Sequence, residues 1–406
     1  MDRQIKVLFV FTANQYNVLN EMLWKLADCL ERKHGFLVGK HRLDDYEKIC
    51  GYEWDVVFCG QAIEFSKLQK ADGRVHMTWF VDHPRYLLPR ILPYEQKENV
   101  WIGCVDRRHM AFLKKYYGIR NTFFAPHFGW KSKKLLAEPN ASYQDRKYGL
   151  FFPASNVRWE EDVACRYPGL TGALRTIAEE TIRLLLEHTE IPLEEAMEAV
   201  LTRYGETEVL ELSRECLEAA GEYIDFYVRI YARNKVIRAL LNAGITVTVC
   251  GRNWSEFPEN ETERAHLQIL GEELPYEEAI EVMADSKVVL NVMPWFKDGS
   301  HERIAMGSMN GAVCVTDASE YVSEVWGKTG VVYYDWRKPD ELIEKLRALS
   351  EDKTEAERIA AEGQRIAEEN VSIDNFTEEI IKQIEAACER VAEGRKKVER
   401  IFDTDL

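Results

Sequence analysis

The sequence lacks an excess of positive charge. Its 406 residues carry 53 Lys and Arg against 69 Asp and Glu, which gives a formal net charge of −16. A polyanionic partner needs a basic surface, so this balance weighs against nucleic acid and against electrostatic attraction to anionic lipid. The same balance still allows a local basic cluster that binds a small anion.

Three further absences narrow the class of protein. The nine Cys form no Cys-x-x-Cys pair and show no zinc-ligand spacing, which predicts buried free thiols in a reducing compartment and no metal. No apolar run approaches the roughly 20 residues of a membrane span. The N-terminus enters a strand pattern without a basic start or a small-residue cleavage site. We therefore expect a cytoplasmic protein without an integral membrane segment.

The chain does contain two sets of alternating strand and helix patterns, which are typical of α/β sheets. Apolar runs such as residues 5–12 resemble parallel strands that are buried on both faces. We predict two Rossmann-like domains that face a central cleft, the first at 1–146 and the second, which holds the main candidate ligand site, at 147–370. A C-terminal helix at 371–406 is expected to pack back across the domains. Because Gly-x-Gly-x-x-Gly does not follow the first strand, a nicotinamide or flavin dinucleotide site is not expected there.

A segment of different composition interrupts the second domain. From about 158 to 226 the chain is rich in Leu, Ala and Glu at helical spacing, with separate helices predicted at 170–188, 193–204 and 206–220. A partner helix at 227–241 follows. We interpret the segment as a helical insertion that covers the cleft, binds the acceptor or forms a dimer contact.

The main candidate site lies in residues 287–317. Their pattern predicts a strand, a polar loop that contains Gly, a short helix and a second strand. His301, Glu302 and Arg303 stand together where the loop meets the helix. Ligands bind beyond the carboxyl ends of parallel strands, and a helix N-terminus favours phosphate. The stretch therefore predicts a site for a ligand that carries phosphate.

A second candidate lies in the first domain. Asp82 and His83 directly follow a predicted strand, and Pro84 biases His83 toward extended geometry. A carboxylate beside an imidazole can supply a general base. The alternative is a strand-end loop whose Asp caps the next segment. His127 also follows a strand, but a lone loop His is more often structural.

Six short motifs resemble those of the spore-maturation-type (CgeB-like) glycosyltransferases, within the GT-B group-1 family. The resemblance is strongest over residues 271–317, and the helical insertion lies outside it. The motifs are Phe-Val-Asp-His-Pro at 80–84, Gly-Arg-Asn-Trp at 251–254, Pro-Tyr-Glu-Glu at 275–278, Leu-Asn-Val-Met-Pro at 290–294, Gly-Ser-His-Glu-Arg at 299–303 and Asn-Gly-Ala-Val at 310–313.

The resemblance implies a hexosyltransferase-type enzyme that moves a sugar from a nucleotide-diphosphate donor to a protein, glycan or small-molecule acceptor. It implies that the nucleotide rests on the domain at 147–370 and that the acceptor approaches from the domain at 1–146. It implies no cofactor beyond the donor and no metal. Asp82 or His83 would take the acceptor proton if the reaction inverts configuration, and would orient the sugar if it retains configuration. The donor-binding residues that it implies are Gly251, Arg252, Trp254, Tyr276, Asn291, Gly299, Ser300, His301, Glu302 and Arg303.

Within that set the residue types suggest different contacts. Arg303 and Arg252 suit the diphosphate, together with the backbone N–H groups of 299–301. Glu302 suits ribose or sugar hydroxyls, and Tyr276 can stack on the base.

One residue departs from the family pattern. Met306 stands where many group-1 sequences carry a Glu that holds the ribose hydroxyls. Either Glu302 takes over this contact or the nucleotide is recognised differently.

Two alternatives to a transferase therefore stay open. One is a catalytically silent GT-B partner that recognises a glycosylated protein or stabilises an active transferase. The other is a sugar-nucleotide epimerase.

Overall fold

The chain folds into two compact units. The first comprises 1–126 with 373–406, and the second comprises 127–372. The boundary lies earlier than the predicted residue 146, because the segment after 126 bonds to the second unit. Ser132 N donates to Asn310 Oδ1 over 2.7 Å, and Arg146 Nη1 donates to Ser286 O over 2.9 Å. The computed structural model describes residues 4–12, 15–42, 53–61, 74–87, 98–139, 141–157, 167 and 170–403.

The first unit is built on a parallel sheet of six strands in the order β2-β1-β3-β4-β5-β6. The residues of β3, β4 and β5 are all buried, as expected for central strands covered on both faces. The strands are β1 Lys6–Phe11, β2 Leu37–Arg42, β3 Val56–Gly60, β4 Val75–Phe80, β5 Val100–Cys104 and β6 Thr122–Phe124, and the helices are α1 Val18–His34 and α2 Arg107–Tyr117.

The C-terminal helix, Ile373–Asp403, belongs to this first unit. Its first turn bonds to α1 through Lys33 Nζ and Asp374 Oδ1, which are 2.5 Å apart. Two residues later the ring of Phe376 packs on Trp79 of β4, with ring centres 5.2 Å apart. The chain therefore returns to its first sheet after completing the second unit.

The second unit has its own parallel sheet of six strands, in the order β12-β11-β10-β7-β8-β9. Numbered within the unit, this is the Rossmann order 3-2-1-4-5-6, with the reversal between β7 and β10. The strands are β7 Tyr148–Pro153, β8 Val247–Cys250, β9 Leu267–Ile269, β10 Ser286–Asn291, β11 Val313–Asp317 and β12 Val332–Tyr334.

Helices surround this second sheet, and the predicted insertion supplies three of them. They are α3 Lys133–Ala137, α4 Gly172–Glu187, α5 Leu193–Arg203, α6 Val209–Asn242, α7 Glu261–His266, α8 Tyr276–Ala284, α9 Glu302–Met309, α10 Glu320–Trp326, α11 Pro339–Glu351 and α12 Lys353–Asn370. Within the described part of the chain, no helix has both the length and the apolar character needed to cross a membrane.

The prediction of separate helices at 206–220 and 227–241 was wrong, since α6 runs unbroken for 34 residues. Its buried face continues through Leu217, Gly221, Ile224 and Val228, so packing persists across the expected break. The single Gly costs only about 1 kcal/mol within a helix. The insertion thus ends inside the helix that crosses from β7 to β8.

Candidate functional site

The candidate site lies where the second sheet reverses its strand order. There β7 and β10 are paired neighbours, with Phe151 opposite Val289. Their crossovers lead to opposite edges of the sheet. Open α/β sheets bind ligands at such a reversal, beyond the carboxyl ends of the strands. Here those ends are Pro153 and Asn291.

Arg303, in the first turn of α9, joins these two strand ends. Its Nε donates to Pro153 O over 2.8 Å, and its Nη1 donates to Asn291 Oδ1 over 3.2 Å. The side chain is buried, and it forms no ion pair with any carboxylate in the described residues. Burial lowers the pKa of Arg303, and the nearby carboxylate of Glu302 opposes that shift in part. A buried cation held by neutral acceptors is costly unless an anion compensates it.

A second arginine approaches the same place from α6. Arg233 Nη1 donates to Ser155 O over 2.7 Å, just beyond β7. Its Nε is buried and has no hydrogen-bond partner among the residues that the structure describes. The guanidinium carbons of Arg233 and Arg303 lie 5.6 and 5.4 Å from the ring centre of Phe152. Burial, with the charges of Arg303 and Arg229, lowers the pKa of Arg233 to about 9.

The sequence interpretation missed Arg233 because it lies in a helix far along the chain from Arg303. A signal was available in the charged residues Asp225, Arg229 and Arg233, which repeat every four positions on an otherwise buried helix face. Arg229 pairs with Asp225 over 2.8 Å, and its guanidinium lies 4.1 Å from the ring centre of Trp295. In contrast, Arg233 has no ion pair to any described carboxylate.

The loop 292–301, which leads into α9, is fixed from several directions. Met293 N donates to Asp317 Oδ1 over 2.8 Å, and Ser319 Oγ donates to Gly299 O over 2.6 Å. Burial raises the pKa of Asp317 to about 7, although the Met293 N–H bond opposes the shift. Lys297 Nζ donates to Thr189 O over 2.6 Å and so ties the loop to the insertion.

His301 and Glu302 form a pair at the end of this loop. His301 Nδ1 contacts Glu302 Oε2, and both side chains remain partly exposed, at 18% and 14%. Burial, and then the charge of Arg303, lowers the pKa of His301 to about 3. Burial alone would raise the pKa of Glu302, but His301 and Arg303 more than offset it and lower that pKa well below its usual range. At neutral pH these shifts leave a neutral imidazole in contact with an ionised carboxylate.

Two buried hydroxyls lie near α9 without a hydrogen-bond partner in the described residues. They are Ser300 Oγ, just before the helix, and Tyr276 OH, at the start of α8. The ring of Tyr276 is buried edge-on against Trp130, with ring centres 6.0 Å apart, so it does not present a face for base stacking here. Ser300 O also accepts from His127 Nδ1 over 2.6 Å, which assigns the lone loop histidine a structural contact.

The residues of the predicted 251–254 motif have separate roles. Gly251 has φ +118°, and a Cβ there would lie 2.7 Å from Ser155 N, so the close approach of the two loops requires Gly. Arg252 is exposed and pairs with Glu273 over 2.5 Å. Trp254 is fully buried and donates from Nε1 to Ala154 O over 2.6 Å. Core packing therefore covers the Trp254 ring, and the donor-binding role predicted for Trp254 stays a prediction.

In the first unit, Asp82 and His83 follow β4 at the carboxyl end of the sheet. Asp82 Oδ2 accepts from Gln61 Nε2 over 3.1 Å. His83 is buried and packs edge-on against His109 and Phe112, with ring centres 4.5 and 4.6 Å away. The order of this sheet reverses between β1 and β3, so the pair lies one strand beyond the reversal.

A family model described as glycosyl transferase-like matches residues 233–382, which include Arg233 and Arg303. No match was found among curated proteins. Three solved structures are similar at TM-scores of 0.55, 0.56 and 0.57, with 9%, 11% and 10% identity. They are the sucrose-phosphate synthase of Thermosynechococcus elongatus, HepE of Anabaena in complex with UDP-glucose, and an alpha-glucosyltransferase in complex with UDP-glucose and DNA containing an abasic site.

These three similarities extend over whole chains. They cover 95%, 94% and 94% of this chain, and 100%, 100% and 99% of the respective structures. At such low identity they establish the fold alone. As the sequence resemblance predicted, the chain has the two-domain GT-B fold of glycosyltransferases, and residues 233–382 match the glycosyl transferase-like family.

Proposed function

We propose that the protein transfers a sugar from a nucleotide-diphosphate donor to an acceptor, and that the second unit holds the donor. The observation that carries this proposal is the pair of buried arginines at the reversal of the sheet. Arg233 and Arg303 lack a carboxylate partner among the described residues, and an anion there would compensate both charges. Two similar folds were solved with UDP-glucose, a donor of this class.

The donor diphosphate fits between the arginines and the start of α9. Arg303 can bind phosphate as a planar fork, and the helix N-terminus adds partial positive charge. When the bond from the sugar C1 to the phosphate oxygen breaks, its electron pair stays on the diphosphate. Positive groups already in place stabilise this developing charge. We propose that the arginines supply that charge without a metal.

For the acceptor we propose a hydroxyl of a protein, glycan or small molecule, with a hexose as the transferred group. Asp82 or His83 of the first unit takes the hydroxyl proton if the reaction inverts configuration, and orients the sugar if it retains configuration. The strand-end position of these residues and their carboxylate-plus-imidazole chemistry support this role.

A donor screen tests the proposal. Purified protein is incubated with UDP-, GDP- and dTDP-hexoses, and release of the nucleoside diphosphate is measured for the wild type, Arg233→Gln and Arg358→Gln. Arg358 is the matched control, because it is an exposed arginine paired with Glu355 on α12, outside the proposed donor site. We expect turnover of at least one donor, a loss of roughly tenfold or more in Arg233→Gln, and little change in Arg358→Gln.

Circular dichroism establishes that each variant is folded. Turnover in Arg233→Gln equal to that of the wild type would overturn the proposed donor site. A folded wild type that neither binds nor consumes any of these donors would overturn the function. Product formed from the donor alone, with the sugar epimerised and still attached to the nucleotide, would point to the epimerase.

A further inference from the structure

The pair formed by His301 and Glu302 has a chemical property that phosphate binding does not use. An ionised Glu302 offers only acceptor lone pairs, so its close contact with His301 Nδ1 favours the tautomer in which that nitrogen carries the proton. The other ring nitrogen, Nε2, then carries a lone pair. It makes no hydrogen bond within the described part of the chain. A neutral acceptor thus stands beside a cluster of cations.

The position of the His301–Glu302 pair would allow contact with a group attached to the donor diphosphate. The sugar is bonded directly to the diphosphate, so it must lie within a few ångströms of the groups that bind the phosphates. At the start of α9, Ser300 is fully buried, whereas His301 and Glu302 are partly exposed. Of these three side chains, only His301 and Glu302 can meet the sugar directly.

Neighbouring rings fix the orientation of the imidazole. His127 lies nearly parallel to His301, with ring centres 6.0 Å apart and planes 21° apart. Trp295 and Phe296 approach its edge at 6.1 and 6.3 Å. The ionisable groups that act on the imidazole are Glu302, Arg303 and His127. This mostly aromatic setting disfavours a second proton and leaves Nε2 as an acceptor.

We propose that His301 is a sugar-recognition residue, whose Nε2 accepts a hydrogen bond from a hydroxyl of the donor sugar. Glu302 is a positioning residue that fixes the imidazole tautomer. This inference rests on the proposed function and deepens it, because it assigns the sugar half of the donor to these two residues.

Calorimetry with matched ligands tests the sugar contact. The affinity for a nucleoside diphosphate is compared with that for its hexose ester, starting with UDP and UDP-glucose and extending to GDP-mannose, UDP-galactose and dTDP-glucose. His301→Phe keeps an aromatic ring but removes the acceptor. We expect the diphosphate affinity to stay within about twofold, while the additional affinity contributed by the sugar falls roughly three- to tenfold.

The outcomes separate this inference from the proposed function. Suppose that the wild type binds the diphosphate but gains no affinity from the sugar, or that His301→Phe keeps the full additional affinity contributed by the sugar. Either result overturns the sugar-recognition role and leaves the donor site in place. If the folded wild type binds none of these nucleotides, both proposals fail.

Nuclear magnetic resonance tests the positioning role of Glu302 independently of ligand. In ¹⁵N-labelled protein at pH 7, the signal that disappears in His301→Phe identifies His301. We expect the Nδ1–H tautomer in the wild type and a mixture or the Nε2–H tautomer in Glu302→Gln, because an amide can also donate to Nδ1. A Glu302→Gln protein that keeps Nδ1–H as the wild type does would overturn the positioning role.

Discussion

The two sheets carry different functional side chains at the carboxyl ends of their strands. These side chains also lie at different positions in the strand order. In the second sheet, two cationic side chains meet at the reversal between β7 and β10. In the first sheet, Asp82 and His83 follow β4, one strand beyond the reversal between β1 and β3. The comparison teaches that buried positive charge is found at the edge that we propose binds phosphate. The carboxylate and imidazole belong to the edge expected to serve the acceptor.

The largest expected effect is on the cationic edge. Arg303→Gln should weaken binding of the nucleoside diphosphate by about 10³-fold, because it removes the charge and the fork that we propose contact phosphate. Calorimetry gives the affinity, with Arg358→Gln as the control that removes an exposed arginine paired with Glu355. An equal loss of diphosphate affinity in both variants would contradict the claim that the buried arginine, and not an exposed arginine paired with a carboxylate, holds the phosphate.

The second prediction concerns the other edge. Asp82→Asn and His83→Gln should lower kcat by about 10²-fold for at least one of the two, since proton transfer typically contributes that much. Donor affinity should remain that of the wild type. Steady-state kinetics and calorimetry on the same preparations measure the two quantities. Loss of donor binding with unchanged kcat would reverse the roles of the two edges.

The third prediction tests the buried carboxyl at the cationic edge. The pKa of Asp317 is raised from 3.8 to about 7, so the folded state holds a proton that the unfolded state has lost between these pH values. This group therefore lowers stability as pH rises through that window. Asn at this position cannot titrate, but its Oδ1 can still accept from Met293 N.

Asp317→Asn should accordingly match the wild type near pH 4 and exceed it at pH 8, by on the order of 2–4 kcal/mol. Urea unfolding across this range measures the difference in the free energy of unfolding. A constant difference between pH 4 and pH 8 would mean that Asp317 does not titrate in that window.

The smallest expected effect concerns the link between the loop and the insertion. Lys297→Met removes the hydrogen bonds from Nζ to Thr189 O and Pro294 O but retains the length of the side chain. We expect a loss of about 1 kcal/mol in stability and a few-fold loss in donor affinity. Arg175→Met, which removes an exposed pair with Glu179 on α4, is the control. Unchanged donor affinity in Lys297→Met would show that the insertion does not help to order the loop.

The features predicted from the sequence were those encoded by neighbouring residues. Apolar runs predicted buried strands such as β1 and β10, and the contiguous His301, Glu302 and Arg303 predicted a polar junction at the start of α9. The edge strand β2, which is mostly not buried, was not predicted. The motif could not reveal that Glu302 engages His301. That pairing depends on side-chain geometry, since adjacent residues at a helix start have several possible orientations.

The features that were missed depend on distant contacts. Arg233 reaches the site only because α6 crosses from β7 to β8, after an insertion of helices. The sequence does not indicate whether the ring of Trp254 lies in the core or at the surface, since both locations are common for Trp. The unit boundary at 126 likewise follows from hydrogen bonds between segments far apart in the chain.

The most direct test of the central claim is a calorimetric comparison of UDP with uridine, and likewise for the guanosine and thymidine pairs. The account predicts that the wild type binds one diphosphate far more tightly than its nucleoside, and that Arg233→Gln loses most of this difference. Equal affinity of the wild type for diphosphate and nucleoside in every pair would contradict the claim that the buried arginines hold the donor phosphates.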